Sequence, residues 1–380
     1  MNIDFFAESL AEICRRSLVA PEKPGLQSKP LRWLIVANPA AGGFTMRSRL
    51  KKCRAALDQC LTAAQSNPLR MDCAPAGVKS EVNGGPVLAS CGLVQTNGHG
   101  CAAKYAEALI AEAKTQDAPF YLIISAGGDG TSREILTAMY HAPAHVRSNM
   151  AILRLPMGTG NDGADSADLV EALMLLIKPS RIEFNPALRL ITAPAGPAAS
   201  ASDHLAFNIL SVGLDAFVTH MTNKMKGKLP GDSYKLWVDI ASLLYDRLYT
   251  VDFLDVKADG GKIMLREKLL LLAVGASGHR TYGSQKKILP DDRNVCALKQ
   301  MPLLRKIALK ELFATGKHID KPEAILFNAR RVEFSGSFPF LAQMDGEAIL
   351  LQPEDFPAVI ELTEPLIPVL KERTVLPNLV

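Results

Sequence analysis

Beyond residue 30 the chain alternates short unbroken apolar runs with longer stretches in which apolar side chains recur every three or four positions. "LRWLIVAN" (31–38) reads as a buried strand, and "MRSRLKKCRAALDQCL" reads as a helix with Leu50, Cys53, Leu57 and Leu61 on one side. The unit recurs in "LASCGLVQT" with "CAAKYAEALIAEAK", in "PFYLIISA" with "SREILTAMY", and in "AILRL" with "ADLVEALMLLIK". Residues 66–86, rich in Pro, Gly and Asn, interrupt the series as a surface insertion. Strands alternating with helices predict a mostly parallel sheet.

The pattern changes near residue 181. Short runs such as "RIEFNPALRLITA", "HLAFNILSVGL", "KLLLLAVGA" and "PAVIELTE", separated by turn residues and rich in β-branched side chains, predict an antiparallel β-rich domain. Two apolar helical stretches, "SYKLWVDIASLLYDRL" and "PLLRKIALKELFATG", interrupt it. The N-terminus carries Phe6, Leu10, Ile13 and Ser17 on one helical stripe, then Pro21, Pro24, Gly25 and Pro30. The expected organisation is a helical extension and linker over 1–30, an α/β domain over 31–180 joined by 366–380, and a β-rich, sandwich-like domain over 181–365. The N-terminal helix is expected to dock on its own domain or a partner subunit rather than to anchor in a membrane.

Composition narrows the class. The chain has 380 residues, 48% hydrophobic and 22% charged, which suits two globular domains and excludes global disorder or coiled coil. A net charge of +4 is compatible with an anionic ligand or membrane surface and falls short of a nucleic-acid signature, so no nucleic-acid partner is expected. Seven cysteines without a CxxC pair indicate free thiols and argue against a disulfide framework or zinc site. The longest apolar stretches, such as "LLLLAVGA", fall well below the roughly 20 residues that span a bilayer. Asp4, Glu8 and Glu12 precede Arg15 and Arg16, the wrong order of charge for an export signal. A cytoplasmic protein is expected.

Glycine loops follow each strand: "PAAGGFT", "NGHG", "GGDGT" and "PMGTGND". A loop leaving a strand for a helix presents unpaired N–H groups and the positive end of a helix dipole, which suits phosphate. Asp129, inside such a loop, would repel a bare phosphate unless a cation lies between them, so the pattern points to a Mg-bound nucleoside triphosphate. A tight turn explains one such loop equally well, but two successive loops that each carry an Asp favour the ligand.

"NPAAGG" (38–43), "TNGHGCA" (96–102), "GGDGT" (127–131), "PMGTGND" (156–162) and "MDGE" (344–347) resemble, in order, the motifs of the diacylglycerol kinase catalytic-domain family, which includes bacterial lipid kinases and sphingosine kinases. "LSVGLDAFVT" and "SYKLW" resemble its second domain. The resemblance implies a Rossmann-like nucleotide domain and an ATP- and Mg-dependent lipid kinase acting transiently at the membrane surface. It implies that nucleotide is held by Asn38, Pro39, Gly42, Thr96, Gly127, Gly128, Asp129, Gly130, Thr131, Gly158, Thr159, Gly160, Asn161 and Asp162. Glu347, with Asp345 beside it, would be the base that takes the lipid hydroxyl proton, and Asp129 a catalytic acid that orients Mg. Metal ligands are implied at Asp129 and, within "LPDDRNV", at Asp292. Ala41, Arg133 and Arg293 depart from the family's usual Ser, Asn and Gly.

"GGDGT" is shared with NAD kinases, and the departures would also suit a nucleotide- or lipid-binding regulator that has lost catalysis. Lys224, Lys226 and Lys228 are candidates for headgroup contact, and His99 is expected to cap or pack. A lipid is the expected partner and a homodimer stays open. Diacylglycerol, monoacylglycerol, a sphingoid base and phosphatidylglycerol all offer a suitable hydroxyl; Thr131 resembles the diacylglycerol and bacterial branch more than the sphingosine branch.

Overall fold

Leu34, Ile35 and Val36 are all buried because their strand, β1 (Leu31–Ala37), is hydrogen-bonded on both edges and covered on both faces. This computed structural model describes residues 3–19, 29–70, 92–115, 119–158, 160–193, 203–225, 245–249, 251–282 and 286–373. β2 (Gly92–Gln95) and β3 (Phe120–Ala126) flank β1, and the sheet continues through β4 (Met150–Arg154) and a C-terminal strand, Ile367–Glu372, to β5 (Ser180–Asn185). All pairs are parallel except the last, where β5 runs antiparallel to Ile367–Glu372. Covering both faces is what makes these strands read as continuous apolar runs.

The helices of this unit are α1 (Ile3–Arg15), α2 (Gly42–Thr45), α3 (Arg47–Ala64), α4 (Cys101–Glu112), α5 (Asp129–His141), α6 (Ala144–Arg147) and α7 (Leu169–Ile177). α1, α3 and α7 pack together over one face through Phe6, Leu10, Ile13, Leu57, Cys60, Leu173 and Leu176. Asn67 ties their ends, its amide donating to the carbonyls of Arg16 at 3.1 Å and Ile177 at 2.8 Å. The N-terminal helix is therefore part of the first core rather than an extension to it, and its apolar stripe is already covered.

The second unit is antiparallel. Its strands are β6 (Leu188–Ile191), β7 (Asp203–Ala206), β8 (Ile209–Gly213), β9 (Phe253–Ala258), β10 (Ile263–Gly275), β11 (Arg280–Tyr282), β12 (Lys286–Leu289), β13 (Val295–Lys299), β14 (Ala324–Phe327), β15 (Arg331–Ser335), β16 (Phe340–Met344), β17 (Glu347–Leu351) and β18 (Ala358–Leu362). The main sheet runs β17-β16-β8-β10-β9-β15-β18-β6-β7, with β13 and β14 continuing from β10, and β11 pairs β12 separately. β10 joins the two halves. Its first six residues alternate half-buried and exposed against β9, while its last seven are buried between β8 and β13. There Leu272 and Val274 enter one core while Leu271 and Ala273 enter another, shared with α8 (Leu214–Met225), α9 (Tyr245–Leu248) and α10 (Leu303–Thr315).

The units divide at Asn185/Pro186 and Glu364/Pro365. The expected boundary at 181 moves because β5 completes the first sheet, pairing Ser180–Asn185 with Glu372–Ile367. Most of "SYKLWVDIASLLYDRL", the insertion beyond residue 70, Lys226 and Lys228 lie outside the described residues. No helix among the described residues is long and apolar enough to cross a membrane.

Two predictions follow from the packing. Phe6 is fully buried, so Phe6→Ala is expected to cost about 3–5 kcal/mol in urea unfolding. His318 is buried against Phe313, ring centroids 4.1 Å apart, and its Nε2–H donates to the Ile288 carbonyl at 3.1 Å. Burial lowers its pKa, so below the unfolded value of about 6.5 the unfolded state binds a proton that the folded state refuses. Stability should fall as pH drops from there toward the depressed folded pKa, and His318→Asn should flatten that segment of a melting-temperature profile.

Candidate functional site

The chain leaves β1 and β3 at the point where strand order reverses, since β2 lies on one side of β1 and β3 on the other. Such a switch point opens a crevice at the carboxyl ends of the strands. Asn38 spans it. Its backbone N–H donates to the Ala126 carbonyl at 3.0 Å, its Oδ1 accepts the Ala40 N–H at 3.0 Å, and its Nδ2 reaches Thr131 Oγ1 at 3.4 Å. The Thr96 N–H donates to the Ala37 carbonyl at 2.8 Å, bringing the loop after β2 to the same end.

The loops after β3 and β4 meet backbone to backbone. A Cβ on Gly158 would lie 2.5 Å from Gly128 Cα, and one on Gly127 would lie 2.5 Å from Thr131 Oγ1, so both positions exclude a side chain. Gly43 closes the group from the β1 side, its N–H donating to the Met157 carbonyl at 2.8 Å, where a Cβ would meet Met157 at 2.7 Å. Arg49 Nη1 donates to the Gly158 carbonyl. Pro39, Gly42 and Gly130 lie on the same loops, and Thr159 lies outside the described residues.

This approach gathers the acids. Asp129 opens α5, and its Oδ1 accepts the Gly163 N–H at 3.0 Å. A Cβ on Gly160 would lie 3.0 Å from Asp129 Oδ2 and 3.1 Å from Asp162 Oδ2, so both carboxylates flank one glycine. Asn161 adopts φ 60° and holds a buried Oδ1 with no hydrogen-bond partner among the described residues. A buried acceptor left unsatisfied costs free energy unless a ligand donor or cation meets it. Beneath the loop, Arg154 bonds Asp165 through its backbone N–H at 2.7 Å and its Nη2 at 2.7 Å, pinning the segment to β4. Together the residues provide a rim of backbone N–H groups and two adjacent carboxylates, a donor set suited to a phosphate carried with a divalent cation.

The loop after β2 differs from expectation. Glu134 of α5 accepts the N–H groups of Gly100 at 2.8 Å, Ala102 at 3.0 Å and Ala103 at 3.4 Å. A carboxylate thus caps the N-terminus of α4, so those donors are spent within the fold. His99 is exposed, 3.9 Å from the same carboxylate.

In the second unit Asp345 and Gly346, at φ 46° and 96°, form the two-residue turn of the β16–β17 hairpin, with Met344 opposite Glu347. The Asp345 carboxylate accepts the N–H groups of Phe207, Asn208 and Ile209, the last two at 3.0 Å. Gln343, fully buried, supports the turn: its Oε1 accepts the Gly346 N–H at 3.0 Å, while its Nε2 donates to Ser211 Oγ at 2.9 Å and Asp215 Oδ2 at 3.2 Å. Asn223 Nδ2 donates to the Gly346 carbonyl at 2.9 Å. Glu347 follows, half-buried, as the first residue of β17.

Residues 32–184 match the family described as the diacylglycerol kinase catalytic domain. A "Probable lipid kinase YegS-like" protein from Xanthomonas euvesicatoria pv. vesicatoria (strain 85-10) is 28% identical over 43% of this chain and 50% of its own length. One of the same name from Enterobacter sp. (strain 638) is 37% identical over 30% of this chain and 35% of its own. The chain thus spans about half the length, or less, of these curated relatives. A solved structure of a candidate diacylglycerol kinase from Bacillus anthracis str. Sterne shares the fold, with TM-score 0.57 at 17% identity, covering 93% of this chain and 99% of that one.

Departures from the diacylglycerol kinase pattern have local explanations. Ala41 precedes α2 without a side-chain cap, and its N–H is taken by the Asn38 carbonyl at 3.0 Å. Arg293 grips Asp291 through its guanidinium and holds that carboxyl below its ordinary pKa. Asp292 stands almost fully exposed, bonded to His279 Nε2 at 2.8 Å. Arg293 therefore supplies positive charge to Asp291 beside the metal ligand expected at Asp292, and among the described residues no three His, Cys, Asp or Glu side chains gather as a metal site. Sequence reasoning also missed Glu134, Ser211, Asp215 and Gln343. A Gln and a Ser inside otherwise apolar strands were the available signal for the last group; Glu134 carried none, since its partners lie 31–34 residues away.

The Asp345 carboxylate holds three backbone donors, so Asp345→Ala should destabilise by about 1.5–3 kcal/mol in denaturant unfolding. Glu347→Gln should stay within about 0.5 kcal/mol of wild type.

Proposed function

We propose that the protein is an ATP- and Mg-dependent lipid kinase that transfers the terminal phosphate of ATP to the hydroxyl of a diacylglycerol-like lipid. The observation that carries this reading is the pair of glycine loops packed backbone to backbone with Asp129 and Asp162 flanking Gly160. The match of residues 32–184 to the diacylglycerol kinase catalytic domain and the similarity to relatives named probable lipid kinases support it.

The Asn38 loop and the N–H groups around Gly127–Thr131 would hold the phosphates, and Asp129 and Asp162 would hold Mg. Two carboxylates are what a Mg ion arriving with its nucleotide requires, the remaining ligands being phosphate and water. Bound there, Mg would neutralise phosphate charge. Glu347 would accept the proton of the lipid hydroxyl as that oxygen attacks the terminal phosphate and ADP leaves, and Asp345, whose carboxylate accepts backbone donors, would position the turn. The loose transition state of phosphoryl transfer places most of the demand on charge neutralisation and orientation, with the proton moving late.

Incubation with labelled ATP, Mg and a mixed lipid extract should yield a labelled chloroform-soluble product, identified by mass spectrometry. Asp129→Asn should cut turnover about 10²-fold or more with little change in stability, since a helix N-terminal acid contributes only about 0.3–1 kcal/mol. Glu347→Gln should cut it less. Formation of NADP from NAD with no labelled lipid would replace this reading with an NAD kinase; tight ATP binding without turnover on any lipid would replace it with a regulator.

A further inference from the structure

The helix α10 is apolar on both sides, since Leu309, Leu312 and Phe313 already face the core. Its inward side carries Lys306, only 7% exposed, whose Nζ meets Asp246 Oδ1 at 2.5 Å, and Arg305 is turned onto Glu323, Nε to Oε1 at 2.6 Å. Its outward side carries Leu303, Leu304 and Ile307, exposed by 39%, 81% and 47%, continued by exposed Pro302, Ala308 and Ala314. Positions 304, 307, 308 and 311 share one face at helical spacing, and Glu311 is the one described charge on it. Solvent-facing helix positions are normally polar, so an apolar face with its neighbouring cations drawn inward calls for a ligand.

We propose that the first two turns of α10 insert into the lipid surface. This rests on the lipid kinase reading, since an enzyme whose acceptor lies in a bilayer must meet that bilayer. Leu303, Leu304 and Ile307 together expose less than two full residues, and even with Pro302, Ala308 and Ala314 the face is far below the roughly 800 Å² that each partner contributes to a stable dimer, which argues against a second copy. A short apolar helix face is sufficient for reversible interfacial binding. The sequence placed the candidate headgroup contact on Lys224, Lys226 and Lys228, and the N-terminal helix is the other amphipathic one. α1 has its one apolar stripe in the core, whereas α10 presents a second stripe outward besides the one it buries. Contact through Leu304 and Ile307 also differs in character from a basic patch, because burial of aliphatic groups is not screened by salt.

The test uses the full chain and vesicles of phosphatidylcholine with one-fifth phosphatidylglycerol. Leu304→Trp should gain fluorescence that shifts to the blue on vesicles and is quenched by dibrominated acyl chains, above the signal of the native tryptophans. Leu304→Ser with Ile307→Ser should weaken vesicle sedimentation at least tenfold, at 0.1 M and at 0.5 M salt, while turnover on a detergent-dispersed short-chain acceptor stays within twofold of wild type. Unquenched fluorescence of the Leu304→Trp variant, or unchanged sedimentation of the double variant, overturns the proposal even if the enzyme phosphorylates lipid. So does light scattering that shows a wild-type dimer which the double variant abolishes, because a second copy then covers the face. Quenching and sedimentation that behave as expected, with no lipid phosphorylated by wild type in detergent, uphold insertion and sink the lipid kinase reading separately.

Discussion

The approach of Gly128 to Gly158 is the constraint on which the glycine-loop end of the first unit depends. With 2.5 Å between one Cα and the Cβ the other lacks, any side chain at residue 158 would have to push β3 and β4 apart or displace one loop. Adjacent parallel strands bring their carboxyl ends within about 5 Å, and only glycine lets the following loops keep that spacing. The geometry of the acids follows. Asp129 begins its helix one residue after Gly128, and Asp162 follows Gly158 by four, so the backbone contact sets the separation of the two carboxylates.

Glycine makes the contact sterically feasible, and polar bonds make it rigid. Asn38 crosses from the first loop to Thr131, Arg49 reaches the Gly158 carbonyl, Gly163 donates to Asp129, and Arg154 holds Asp165 at the rear. Each bond joins different segments of the chain, which is why the site has a defined shape although it is built from loops. Asn161 Oδ1 is a buried acceptor without a hydrogen-bond partner among the described residues. That pattern belongs to a site that is completed by what it binds.

Much of this was legible in the chain because the first unit obeys local rules. Continuous apolar strands, 3.6-residue helices and glycine at each strand-to-helix turn gave the parallel sheet and the loop positions directly. Where the sequence misled, a distant partner had decided the outcome. β5 reads like the start of the β-rich domain, yet it completes the first sheet because Ile367–Glu372, from the far end of the chain, offers it an edge. Asp345 reads as half of a catalytic pair, yet its carboxylate folds onto residues 207–209. Asp292 reads as a metal ligand, yet Arg293 supplies the positive charge to Asp291 and leaves Asp292 to His279. Spacing along one strand of sequence carries no information about which of two acids a remote backbone will claim.

The division of labour between Asp345 and Glu347 shows what such remote contacts accomplish. A two-residue turn with both residues at positive φ is costly for Asp345, and its carboxylate offsets that cost by taking three N–H groups that would otherwise end β7 and begin β8 unpaired. Gln343 and Asn223 take the remaining polar groups of Gly346. The turn is thus fixed from both sides by Asp345, Gln343 and Asn223, which sets where the first residue of β17 stands relative to β8 and α8.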